Sequence, residues 1–257
     1  MENGFRENTE GVQRARILDI PVDMVDYDSA LACFRKFMDR DGCDMIVTPN
    51  SEIVVNATKD PALKDLIEHA SLIIPDGIGL VKAAKIKHLP LHDRVTGVDF
   101  LTLILGELEA TGKSIFLLGS KPENEERASV ADLAAAAMKE RFPGLIVAGT
   151  NDGYFKPADE PNLVKKINDS GADFLCVALG SPKQEKFIYE HAKEFTSVKA
   201  AIGVGGTLDV WAGTVKRAPE FWQKHGIEWL YRFIKEPVRF KRVLQLPVFM
   251  AKVIVSK

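Results

Sequence analysis

Short apolar runs recur along this chain with helix-like segments between them, and that alternation limits the fold more than any other feature. Strand-length runs lie at Arg16–Ile20, Met45–Thr48, Leu72–Pro75, Ser114–Gly119, Leu145–Gly149, Phe174–Gly180 and Lys199–Val204. Helical spacing is read over Ser29–Met38, Ser51–Lys59, Gly79–Ile86, Val98–Thr111, Asn124–Arg141, Asn162–Asp169 and Lys183–Phe195. A parallel strand covered on both faces has no polar side, so it reads as a continuous apolar run, as FLCVALG does at Phe174–Gly180. The pattern predicts an α/β protein with a mostly parallel sheet and helices on both faces. The alternation stops near Arg217-Ala218-Pro219. The expected organisation is therefore a core over 1–215 and a helical appendage over 216–257.

Composition removes several classes. The chain has 257 residues, 46% hydrophobic and 27% charged, enough apolar content for a full core and too much for disorder. Cys33, Cys43 and Cys176 are odd in number and widely spaced, which fits neither a disulfide framework nor a zinc pair. The first residues lack an apolar signal core, and no apolar run is long enough to span a bilayer. A cytosolic chain with reduced thiols is expected. The net charge of -2 hides an asymmetry. From Lys216 onward there are ten basic and three acidic residues, against 24 and 33 in the rest. Such a tail is either a solvated helix face or a surface for an anionic partner.

In an open parallel sheet, ligands gather beyond the carboxyl ends of the strands. The loops expected there are Thr48-Pro49-Asn50-Ser51-Glu52, Pro75-Asp76-Gly77-Ile78-Gly79, Gly119-Ser120-Lys121-Pro122, Gly180-Ser181-Pro182-Lys183-Gln184-Glu185 and Gly203-Val204-Gly205-Gly206-Thr207. Glycines let backbone approach a ligand, and helix N-termini attract phosphate. As a group these loops suit a nucleotide or sugar nucleotide. A carboxylate at Asp76 serves either as a helix N-cap or as a general base at a cleft rim. Thr48 and Asn50 can cap a helix or hydrogen-bond a sugar. Arg94 suits a surface ion pair or a phosphate. Asp26-Tyr27-Asp28 matches a short metal-binding pattern, but Asp28 stands at a helix start and capping explains it better. No metal site is expected, and the histidine spacing offers none. There is no G-x-G-x-x-G after the first strand, no P-loop and no G-x-S-x-G elbow.

The tail mixes basic and apolar residues. Gly226–Pro237 reads as a helix ending before proline, and a second basic-apolar stretch follows over Val238–Met250. It can pack as a helical pair on the sheet, or meet an anionic membrane or a lipid diphosphate; a mixture is expected, with the apolar face partly on protein and partly on lipid.

These residues resemble the WecG/TagA/CpsF family of bacterial glycosyltransferases. The matching stretches are Thr48-Pro49-Asn50-Ser51-Glu52, Pro75-Asp76-Gly77-Ile78-Gly79-Leu80-Val81, Arg94-Val95-Thr96-Gly97-Val98-Asp99, Gly180-Ser181-Pro182-Lys183-Gln184-Glu185, Gly203-Val204-Gly205-Gly206, Glu228-Trp229-Leu230-Tyr231-Arg232 and Glu236-Pro237-Val238-Arg239-Phe240. The resemblance runs from about Ile17 to about Arg242. It implies a Rossmann-like core and an inverting transfer of N-acetylmannosamine. The donor is UDP-N-acetylmannosamine, and the acceptor is N-acetylglucosamine on a polyprenyl (undecaprenyl) diphosphate. The product serves wall teichoic acid or a related surface polymer.

By that resemblance Asp76 is the base and Thr48 stands beside it in the catalytic pocket. Asn50 lines the same pocket, and Arg94, Gln184 and Gly205 meet sugar or phosphate. Tyr154 and Asp209 take the nucleoside end. Arg232, Arg239 and Arg242 close over the diphosphate. No cofactor is implied, since the UDP-sugar is a substrate. The expected partners are the donor, the lipid acceptor and the anionic inner face of the cell membrane, with the protein peripheral on it. Nucleic acid is not expected. An apolar patch that the tail can cover suits a homo-oligomer. Two other readings remain: a UDP-sugar-binding membrane protein without catalysis, and a nucleotide-cofactor oxidoreductase, which the missing glycine fingerprint disfavours.

Overall fold

The computed structural model describes residues 6–7, 10–91, 94–122, 128–235 and 244–256, without the side chains of Arg6, Glu7, Lys224, Arg232 and Lys235. In chain order the elements are β1(Arg6–Glu7), β2(Gln13–Ile17), β3(Ile20–Asp23), α1(Tyr27–Met38), β4(Asp44–Val47), α2(Ser51–Ala57), α3(Pro61–Glu68), β5(Leu72–Ile73), α4(Ile78–Ile86), α5(Gly97–Thr111), β6(Ser114–Gly119), α6(Val130–Arg141), β7(Ile146–Asn151), a 3-10 turn at Pro157–Asp159, α7(Glu160–Asp169), β8(Phe174–Ala178), α8(Lys183–His191), β9(Ala200–Gly203), α9(Thr207–Trp211), α10(Glu220–Lys224), α11(Glu228–Lys235) and α12(Gln245–Val255). Six strands form one parallel sheet in the order β5-β4-β9-β8-β6-β7, a Rossmann-like arrangement.

Successive strand residues point to opposite faces, and both faces are apolar. Met45, Val47, Leu175 and Val177 enter one core with α2, α3, α4, α7 and α8. Ile46, Phe174, Cys176 and Ile202 enter the other, with α1, α5, α6 and α9. After β4 the chain leaves on the first face through α2, and after β9 it leaves on the second through α9. The connections diverge at the β4–β9 boundary, and at such a boundary the carboxyl ends of the strands are where ligands bind in open α/β sheets.

Two expectations are corrected here. Arg16–Ile20 is not one strand. It contains a two-residue hairpin turn, with Leu18 at φ 52° and Asp19 at φ 63°, pairing Ile17 with Ile20. The resulting antiparallel β1-β2-β3 sheet is separate from the main one. Its Arg14–Asp23 pair is bidentate at 2.7 and 2.9 Å, and the fully buried Asp23 also accepts the Ile73 N–H at 2.8 Å, which ties the hairpin to β5.

The cap of α1 is Asp26 rather than Asp28: its side chain accepts the Ser29 N–H at 2.8 Å, and Ser29 Oγ accepts the Asp26 N–H in return.

Helix α12 lies in the 216–257 segment expected as a helical appendage. Helix α12 packs on α2 and α4, and its Phe249 and Val253 are fully buried in the first core. The apolar spacing of α12 places those two residues four apart, on one face.

Candidate active site

Thr48 follows β4, and its hydroxyl donates to the Gly203 carbonyl at 3.0 Å, joining the carboxyl ends of β4 and β9. The backbone N–H of Asp76 donates to the Pro49 carbonyl at 3.0 Å, and Val95 N–H to the Pro75 carbonyl at 3.2 Å. These bonds stitch the loops after β4 and β5 to the segment that enters α5. The N-cap of α4 falls on Gly77, at φ +100°, not on Asp76. That backbone conformation favours glycine, so the turn after Asp76 is specified by its neighbour.

Gly97, the first residue of α5, reveals the convergence. A Cβ built there would stand 3.9 Å from Asp76 Oδ2, from Thr48 Oγ1 and from Thr207 Oγ1. No two of those oxygens can be farther apart than twice that distance. Thr207 donates its own hydroxyl proton to the Val204 carbonyl at 2.9 Å. With both threonine protons committed to carbonyls, their lone pairs can accept from a substrate hydroxyl, while the carboxylate can take a proton. Thr207 had no role assigned from sequence. The signal was present, since it follows directly on Gly203-Val204-Gly205-Gly206.

Other predicted residues hold the frame. Asn50 caps α2, its Oδ1 accepting the Ile53 N–H at 3.0 Å, which leaves its amide N–H donors outside the cap bond. Gln184 is buried, 3% exposed, with Oε1 accepting the Gly205 N–H at 2.9 Å and Nε2 donating to Glu185 Oε1 at 2.9 Å. It fixes the Gly205 loop from behind. Burial pushes the Glu185 carboxyl above its ordinary range, against the hydrogen bonds that favour its charge. Gly205 itself is at φ +52°, and nothing lies within 4 Å of where a Cβ would stand, so its outer face is open. Asp209 lies in α9, with Oδ2 3.9 Å from a Cβ placed on Gly206 and its carbonyl accepting from Thr214 Oγ1 at 3.0 Å.

Arg94 donates to Glu228 Oε2 at 2.7 Å and to the Gln223 carbonyl at 2.9 Å. Of its two readings, the ion pair is the one formed here. Tyr154 is 71% exposed and follows β7, the edge strand opposite β5. The Gly153 N–H before it donates to the Ser120 carbonyl at 2.9 Å, which turns this segment over the carboxyl end of β6. Arg232 lies in α11, with its side chain outside the description, and Arg239 and Arg242 lie outside the described residues. Among the described residues no cluster of three metal-ligating side chains occurs, and no helix is long and apolar enough to cross a membrane.

A parallel α/β sheet that gathers a carboxylate and two hydroxyls around one glycine at the carboxyl ends of its strands is an arrangement suited to group transfer, in which a hydroxyl is activated beside a phosphorylated donor. Comparison with known proteins narrows the class. The model for the glycosyl transferase WecG/TagA/CpsF family matches residues 15–257, and the chain belongs to that family. It is 35% identical over 240 residues to an N-acetylglucosaminyldiphosphoundecaprenol N-acetyl-beta-D-mannosaminyltransferase of Bacillus spizizenii, covering 91% of this chain and 90% of the relative. It is 38% identical over 212 residues to a protein of the same name from Staphylococcus aureus, covering 82% of this chain and 80% of the relative.

Proposed function

We propose that this chain is an inverting glycosyltransferase that moves N-acetylmannosamine from UDP-N-acetylmannosamine to undecaprenyl-diphosphate-linked N-acetylglucosamine, in wall teichoic acid or related polymer synthesis. The observation that carries this reading is the convergence of Asp76, Thr48 and Thr207 around Gly97. The names of the relatives supply the donor sugar and the lipid acceptor.

The acceptor hydroxyl attacks the anomeric carbon as the bond to UDP breaks, and the hydroxyl proton passes to Asp76. The electron pair leaves on the UDP oxygen. Thr48 and Thr207 orient the sugars through their acceptor lone pairs, and the open Gly205 backbone lets the donor come close. Departure of UDP requires cationic or N–H groups near its phosphates, and arginines are the residues we assign to that role, without a metal. Asp26, the residue of the D-x-D pattern that could recruit one, is spent on capping α1. The lipid acceptor resides in the membrane, so the protein works as a peripheral partner of its inner face, with the basic tail as the docking surface. Arg232, Arg239 and Arg242 belong to that surface. A homo-oligomer off the membrane is part of the same reading.

The test is transfer to a short-chain polyprenyl-diphosphate N-acetylglucosamine analogue with EDTA present. Asp76→Asn should lower turnover by about a hundredfold to ten-thousandfold while UDP binding persists. Wild-type transfer lost in EDTA would overturn the metal-free step. An unchanged Asp76→Asn would overturn the base.

A further inference from the structure

Two guanidinium groups face one carboxylate where the tail meets the core. Glu228 opens α11, with its side chain 12% exposed. One oxygen, Oε2, accepts from Arg94 at 2.7 Å. The other, Oε1, stands 3.7 Å from Arg217 Nε, beyond hydrogen-bond reach. Both of these atoms are buried, and neither has a hydrogen-bond partner. Arg217 is aimed by Asp99, which accepts from Nη1 and Nη2 at 2.6 Å each. Asp99 is held in turn by the Thr96 hydroxyl at 2.6 Å and the Tyr27 hydroxyl at 3.4 Å.

This is an anion site filled by the chain's own carboxylate, and filled incompletely. A buried N–H and a buried carboxylate oxygen that face each other without bonding both keep their desolvation cost. A phosphate group carries more acceptor oxygens and fits a guanidinium pair better. The place is also right. Val95, next to Arg94, is bonded to the Pro75 carbonyl beside Asp76. Thr96 caps α5, whose first residue, Gly97, is the one around which Asp76, Thr48 and Thr207 gather.

We propose that Arg94 and Arg217 form a diphosphate subsite, and that Glu228 is its built-in occupant, displaced when a diphosphate binds. The proposal rests on the glycosyl-transfer reading and deepens it. Arg217 and Glu228 gain roles, with Asp99 as the positioning residue that keeps Arg217 Nε pointed at the subsite. The exchange takes place at the root of α11, so arrival of the ligand releases one anchor of that helix.

The diphosphate belongs either to the nucleotide donor or to the lipid acceptor, and calorimetry with UDP and with farnesyl diphosphate separates them. Glu228→Gln keeps the side chain's shape and removes the competing charge. With Glu228 in place about nine-tenths of the time, its removal tightens the Kd about tenfold for whichever ligand uses the subsite. Arg217→Lys added to Glu228→Gln should abolish that gain. Should Glu228→Gln not fold, Glu228→Asp, which shortens the carboxylate's reach, carries the same expectation in smaller degree. Unchanged or weaker binding of both ligands overturns the proposal, and so does a gain that survives Arg217→Lys. Failure of the functional reading looks different: Asp76→Asn would then transfer as well as wild type, whatever Glu228 does.

Discussion

Gly97 shows how one absent side chain makes a site. Its missing Cβ is the space on which Asp76, Thr48 and Thr207 converge, at 3.9 Å each. That distance is ordinary contact, so alanine fits the fold. Gly97 is the first residue of α5, where alanine costs nothing in the backbone and can gain up to about 1 kcal/mol. On the proposed reading, the added methyl takes up room that the substrate needs. Gly97→Ala should leave the melting temperature equal or slightly raised and lower transfer by on the order of a hundredfold. A melting curve and a rate on the same preparation check it. Asp76 and Thr48 were legible in the sequence because they end strands, and strand ends of a parallel sheet are where ligands gather. Gln184 was legible as a position but not as a role. A polar residue in a glycine-rich loop reads as a ligand contact until burial shows it turned inward, onto the Gly205 N–H.

At the scale of elements, the parallel strands were legible because both sheet faces are covered, so β6 and β8 are buried along their whole length and read as continuous apolar runs. The first hairpin was not. Leu18 and Asp19 adopt positive φ without the glycine or asparagine that announces such a turn, so Arg16–Ile20 reads as one continuous strand. Helix α3 starts with Asp60 as cap and Pro61 at its first position, and it lay in a stretch to which no helix was assigned. The last helix is the larger lesson. A basic-apolar tail reads as an appendage, yet α12 buries Phe249 completely between α2 and α4. Phe249→Ala should cost about 3–5 kcal/mol, on the order of 10 °C in melting temperature, measured by calorimetric or circular-dichroism melting. A removable appendage would show almost no change. Deleting everything after Arg217 therefore tests folding as well as membrane contact.

Across the whole molecule, charge and apolar surface are sorted along the chain. The residues from Lys216 hold the positive excess, and in the same region Phe221, Trp229, Ile234, Leu244, Val248, Ile254 and Val255 are exposed. Apolar groups interspersed with lysine and arginine bind anionic interfaces by two additive effects, of which salt weakens one. Sedimentation with vesicles containing anionic lipid should therefore recover the protein at low salt and lose much of it by about 0.5 M salt. Neutral vesicles should recover less at every salt concentration. Salt-independent binding would assign the interaction to the apolar residues alone.

The strand order has a consequence for how the protein is made. β4 pairs with β9, and Thr48 reaches Gly203, so the middle of the sheet joins residues synthesised far apart in time. As the nascent chain leaves the ribosome, β4 waits without one of its neighbours until β9 has emerged, and the face that Phe249 seals waits longer still. The cluster around Gly97, with Thr48 from the early half and Thr207 from the late half, cannot form before Thr207 has emerged. On the proposed reading, the site is assembled only when the two distant halves have met.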